Sequence, residues 1–251
     1  WSKGCTWDNT TVRYQGTALE QAKCLLRAVG KGGNVADTEA QLPAHLAARI
    51  GQPVAVSRSA LRRYLATQGI QETSLGGGLD DPLSTTEGEP AHPALYFVIH
   101  DTSNILCTRE DFPGDSDAPD ASWNMAATWE SSKQAHLFLT RAGAAYSPQG
   151  RTFSVPWRAT KHEMTLGEST RGRFLHIENV QLRRPEVEAD APLTNAEGRC
   201  VNDRIAQRPG FTSKQMHLLA LTYIAASARA GHWLIPAYHA VIDSSFPGGH
   251  D

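Results

Sequence analysis

The chain has 251 residues, 40% of them apolar and 20% charged, with a formal net charge of −2. That is ordinary for a globular protein of one large domain or two modest ones. Charge this close to zero argues against nucleic-acid binding or an electrostatic hold on a membrane, and no apolar run approaches the roughly 18 residues of a membrane-spanning helix.

Residues 1–83 read as a small helical unit. Thr17 and Glu20 form a capping box, in which each side chain satisfies the other residue's backbone amide. A helix is expected from there to about Val29, with Leu19, Ala22, Leu25, Leu26 and Val29 on one face and Gly30, Gly32 and Gly33 as its stop. A second helix is expected over 42–50, opened by Pro43, and a third over 60–68, opened by Ser57 or Ser59. Residues 71–93, with Gly76, Gly77, Gly78, Pro82, Gly88 and Pro90, read as a linker or long surface loop, which places a domain boundary near 84. No Gly-Lys-Ser/Thr follows the three glycines, so they are not a phosphate loop.

From Ala94 the pattern changes. Leu95, Tyr96, Phe97, Val98 and Ile99 run without a polar break into His100, the signature of a strand covered on both faces. An acid-rich loop covers 110–120. A hairpin follows, from a strand over 135–139 through Gly143 to Ala145 and Tyr146. The stretch 174–180 alternates, with Phe174, His176, Glu178 and Val180 on one face. A long helix is expected over 213–230, boxed by Thr212 and Gln215 and ended by Gly231. Its stripe is Met216, Leu219, Tyr223 and Ala226, widened by Leu218, Leu221 and Ala225. Another short apolar segment then ends near His239, and the sequence closes on Gly249, His250 and Asp251.

Cysteines stand at 5, 24, 107 and 200, with no Cys-x-x-Cys pair. An even count at wide spacing fits two disulfides in an oxidising compartment, with Cys5–Cys24 and Cys107–Cys200 favoured because each pair stays within one unit. Four buried thiols are the alternative. The chain begins at Trp1 and not at a methionine, so a removed leader is expected, and with it a secreted or periplasmic location.

His100, Glu178, His239 and the His250–Asp251 end are all strand-end or loop residues of the second unit. Two histidines with a carboxylate and an open position make a catalytic zinc set. The same stretches, in the same order, resemble the zinc-dependent type-2 N-acetylmuramoyl-L-alanine amidases, which share their fold with peptidoglycan recognition proteins. Val98 to Thr102 resembles the strand of the first ligand, and Gln134 to Tyr146 the family's hairpin. Ala159 to His162 resembles its turn, Leu175 to Asn179 its glutamate strand, and His239 its second histidine ligand.

The resemblance covers 94–251 and implies an α/β fold: a mixed central sheet flanked by helices, behind the small helical unit. It implies Zn²⁺ held by His100, His239 and Asp251, with His250 as the alternative third ligand, and Glu178 as the proton shuttle. His250 or His162 would assist the oxyanion, and His136, His176 and Asn179 would line the substrate site. The implied partner is peptidoglycan or its muropeptides, met by a monomeric chain without nucleic acid or a membrane span. Other readings stay open: His136 and His176 as structural histidines, Glu178 as half of an ion pair, and the whole as a peptidoglycan-binding module without catalysis. A serine hydrolase is disfavoured, because no Gly-x-Ser-x-Gly elbow occurs.

Overall fold

The computed structural model describes residues 5–244 and 246. A hairpin of β1 (Trp7–Asp8) and β2 (Arg13–Tyr14) opens the chain, followed by α1 (Ala18–Leu25), α2 (Ala44–Ala47) and α3 (Arg58–Thr67). Next come β3 (Tyr96–Asp101), β4 (Asn104–Ile105), α4 (Ala126–Trp129), β5 (Leu137–Leu139), β6 (Ala145–Tyr146) and α5 (Lys161–Leu166). The described chain ends with β7 (Phe174–Asn179), β8 (Leu182–Arg184), β9 (Ile205–Ala206), α6 (Ser213–Ala230), β10 (Ile235–Tyr238) and α7 (His239–Asp243).

The strands form three sheets, and the largest has the order β10-β3-β7-β5-β6. Four of its strands are parallel, and β6 closes one edge antiparallel to β5. The sheet is therefore mixed, and β3 lies inside it, as its unbroken apolar run requires.

Strand periodicity divides the core in two. Odd positions Phe97, Leu175, Ile177, Leu137 and Leu139 face Leu218, Leu219, Leu221, Ala225 and Ala226 of α6 and Leu61 and Leu65 of α3. Even positions Tyr96, Val98 and Phe174 join Ile235 and Ala237 of β10. They pack on Ala22 and Leu25 of α1, Val241 and Ile242 of α7, and Tyr14. Each fully buried large apolar side chain contributes roughly 1.5–3 kcal/mol. Both faces are covered, so the polar even-numbered residues at the strand ends have to find partners among themselves.

Three expectations are corrected. The chain does not begin with a small helical domain: its first elements are a strand hairpin, and the helices that follow bury their apolar faces in the two cores of the sheet. Residues 71–93 are not a loose linker either. Leu75 and Leu79 are fully buried, and a Cβ on Gly76, which sits at φ +84°, would lie 2.4 Å from the Phe153 ring. Met216 is not on the buried stripe of α6 but exposed, while Thr222 takes a buried place. The helix ends do follow the sequence: both capping boxes form, and Gly231 adopts the left-handed conformation.

Both favoured disulfides are present, Cys5–Cys24 and Cys107–Cys200. The first is buried and ties Cys5 to α1 through Cys24, whereas Cys107 of the second is exposed.

Candidate active site

Parallel strands deliver their C-terminal ends to one side of a sheet, where ligands of α/β proteins usually bind. Here β3, β7 and β10 bring His100, Glu178 and His239 to that side. His100 and Glu178 are register partners on adjacent strands. Tyr238 pairs with Ile99, so His239 follows directly beside His100, and the two imidazole centroids are 4.2 Å apart. All three residues line an open groove of about 2650 Å³. Its rim comes from two long excursions, one after β4 and one between β8 and β9, which the Cys107–Cys200 disulfide ties together.

Behind these residues runs a chain of buried polar groups. His100 Nε2 is 3.0 Å from His176 Nδ1. His176 Nε2 lies 3.0 Å from Glu163 Oε2, a close electrostatic contact without hydrogen-bond alignment. Glu163 Oε2 also accepts from the Ala159 N–H and the Thr160 hydroxyl, the latter being the N-cap of α5. On the other side His239 Nε2 is 2.7 Å from Asp243 Oδ2. Asp243 accepts in turn from the backbone N–H groups of Lys161 and His162, in the first turn of α5. His239 is thus held directly by a carboxylate, while His100 meets His176, which lies against a second one, and both carboxylates are anchored at the first turn of α5.

The electrostatics follow from burial. Glu178 is 5% exposed. Desolvation pushes its carboxyl well above the usual carboxylate range, and the charge of Asp101 adds to the effect. Its Oε1 is 3.6 Å from His100 Nδ1. Burial would also raise Asp243, but hydrogen bonding and charge from His239 and the two α5 amides outweigh it, holding that carboxyl below its ordinary value.

Other expected site residues stand elsewhere. His136 is fully buried: its Nδ1 accepts from the His176 N–H, its Nε2 reaches the Val155 carbonyl, and burial lowers its pKa to about 3. His176 and Asn179 are fully buried as well, and Asn179 donates to the His100 carbonyl. None of the three lines the groove. All three stand behind the wall of the groove, where they were expected to line the substrate site. His162 does not reach the groove: its ring packs among Trp7, Tyr14, Phe174 and Phe246, which leaves it poorly placed to assist an oxyanion. His250 and Asp251 lie outside the described residues.

Sequence reasoning missed Asp243 and Glu163. Both carried a signal. Asp243 stands four residues after His239, the spacing of neighbours on a helix face. Glu163 stands three after Thr160, the spacing of a capping box.

Two imidazoles and a carboxyl at adjacent strand ends are donor types that zinc takes. Among the described residues, no group of three His, Cys, Asp or Glu side chains could hold a metal ion. A third ligand would have to come from beyond them, where Asp251 and His250 stand in the sequence. Comparisons with family models, curated proteins and solved structures find no match. The resemblance to type-2 amidases therefore rests on the motifs alone.

Proposed function

We propose that the chain is a zinc-dependent amide hydrolase acting on peptidoglycan, at the bond between N-acetylmuramic acid and L-alanine. The observation that supports this most is the meeting of His100, His239 and Glu178 at one end of a parallel sheet, on the floor of an open groove. The three come from distant parts of the sequence in the order that the amidase motifs imply.

His100 and His239 would hold the metal with a third ligand, Asp251 or else His250. Zinc, when bound, supplies a Lewis acid for the scissile carbonyl and lowers the pKa of a bound water. Glu178 supplies the proton chemistry. Opposite His100 and lining the groove, its carboxylate would take a proton from the attacking water and return it to the leaving amine. At about 2650 Å³ the open groove has the volume for an extended ligand such as a glycan strand with its stem peptide.

Two disulfides fit an oxidising compartment, which agrees with a secreted or periplasmic protein meeting cell-wall material. No helix among the described residues is long and apolar enough to cross a membrane.

The test is a metal analysis of the purified chain, with and without chelator, alongside a digest of muropeptides. Release of stem peptide that stops with the chelator and returns with zinc supports the proposal. Binding of peptidoglycan without release, zinc supplied, would favour a recognition module instead. The described residues offer one reason to keep that second reading, since they provide only two histidine ligands.

A further inference from the structure

Asp243 is a buried carboxylate that the reaction outlined above does not use. It is 2% exposed, on the last residue of a helix five residues long, and its side chain meets three partners among the described residues. Oδ2 accepts from the Lys161 N–H at 3.0 Å, and Oδ1 accepts from the His162 N–H at 3.3 Å. As a carboxylate it only accepts, so the hydrogen in its third contact, with His239 Nε2 at 2.7 Å, lies on the imidazole.

We infer that Asp243 is the positioning residue of His239, fixing that imidazole as its Nε2–H tautomer and dedicating Nδ1 as the nitrogen with a lone pair. The role of that lone pair as a metal donor rests on the function proposed above. The tautomer itself does not.

The geometry supports a positioning role over a merely structural one. His239 and Asp243 sit four residues apart, so a single helical turn sets their distance. The far side of the carboxylate is clamped by the first turn of α5, which leaves the His239 side as the direction in which its remaining acceptor capacity points. His100 is treated in the same way from the other flank. Its Nε2 meets His176, and its Nδ1 faces Glu178. On both histidines Nε2 meets a buried protein group, Asp243 for His239 and His176 for His100. Partners of this kind behind metal-binding histidines typically change metal affinity by 10- to 100-fold when removed.

The first experiment uses the metal-free chain. Long-range nitrogen–proton correlation spectra report which ring nitrogen of His239 carries hydrogen, and loss of the signal in His239→Gln assigns it. A single Nε2–H tautomer is expected, and a dominant Nδ1–H form would overturn the inference. The second compares Asp243→Ala and Asp243→Asn with the parent for zinc affinity, by competition with a chromophoric chelator. The alanine variant should bind zinc 10- to 100-fold more weakly and show mixed His239 tautomers, with the asparagine variant in between. A structural Asp243 would lower the melting temperature and leave both tautomer and affinity unchanged, which overturns the inference. If neither variant folds, the tautomer in the parent chain decides. If the parent binds no zinc but His239 is held as Nε2–H, the function proposed above fails and the positioning stands.

Discussion

His100 and Glu178 stand opposite one another on adjacent parallel strands, with Nδ1 and Oε1 3.6 Å apart and both side chains almost wholly buried. Register sets this pairing. A slip of one residue in β7 would turn Glu178 to the far face and bring Ile177 or Asn179 beside His100.

Glu178→Gln keeps the shape of the side chain and removes its proton chemistry. If Glu178 is the shuttle, turnover should fall by about 10²-fold or more, in line with general acid–base contributions. Zinc content and affinity for intact peptidoglycan should hardly change, since the loss lies in kcat. Steady-state kinetics with a metal assay would check both. An unchanged kcat would mean that another group moves the proton.

His100→Ala removes one of the two described imidazole ligands. Zinc content and activity should be lost together. The variant also strips His176 Nδ1 of its partner, so a lower melting temperature is expected as well. Full activity in this variant would end the zinc reading.

Acid should weaken the fold through its buried histidines. Burial lowers His162 from 6.5 to about 4. The folded state therefore binds fewer protons than the unfolded one, and the stability this implies is whole above pH 6.5. It declines as pH falls towards 4, by about 3 kcal/mol in all. His136, lowered to about 3, extends the loss further into acid. Urea melts at pH 7, 5.5 and 4.5 should show the decline, with a shallower slope in His162→Phe. Equal slopes would remove His162 from the explanation.

The two disulfides should differ in reactivity. Thiol titration of the denatured, unreduced chain should find no free thiol. Under mild reduction of the folded protein, alkylation should appear at Cys107 and Cys200 first, because Cys107 is exposed and the Cys5–Cys24 bridge is buried. Replacing Cys5 and Cys24 by alanine should cost roughly 3 kcal/mol for a loop of 19 residues, if the chain-entropy account holds. Peptide mapping after graded reduction settles the order.

Gly76→Ala tests whether 71–93 belongs to the core. The new Cβ would meet Phe153 at 2.4 Å, from a left-handed backbone that side chains rarely adopt. The variant should lose at least about 1 kcal/mol by thermal or urea unfolding. A neutral effect would mean that the segment yields easily, as a linker would.

Local chemistry determined much of this protein from its sequence. The capping boxes at Thr17 and Thr212 act within one helical turn, so four residues suffice to place them. The apolar run before His100 demands cover on both faces, and the alternation over 174–180 assigns Phe174, His176 and Glu178 to one of them. Those rules put His100, Glu178 and His239 at strand ends before any strand was paired. Tertiary structure decided the rest. Gly76 and its neighbours look like a linker in sequence, because only the approach of Phe153 requires a residue without a side chain there. The unit read over 1–83 looks separable because its own periodicity is helical, yet the apolar faces of its described helices find their partners in the sheet. His136, His176 and His162 carry the same side chain as His100. All four rings are buried, and what sets His100 apart is that the fold puts it against the groove while the others lie behind its wall, which no spacing along the chain encodes. Asp243 and Glu163 gain their roles in the same way, since burial leaves each carboxylate to be satisfied by whatever donors the fold brings within reach.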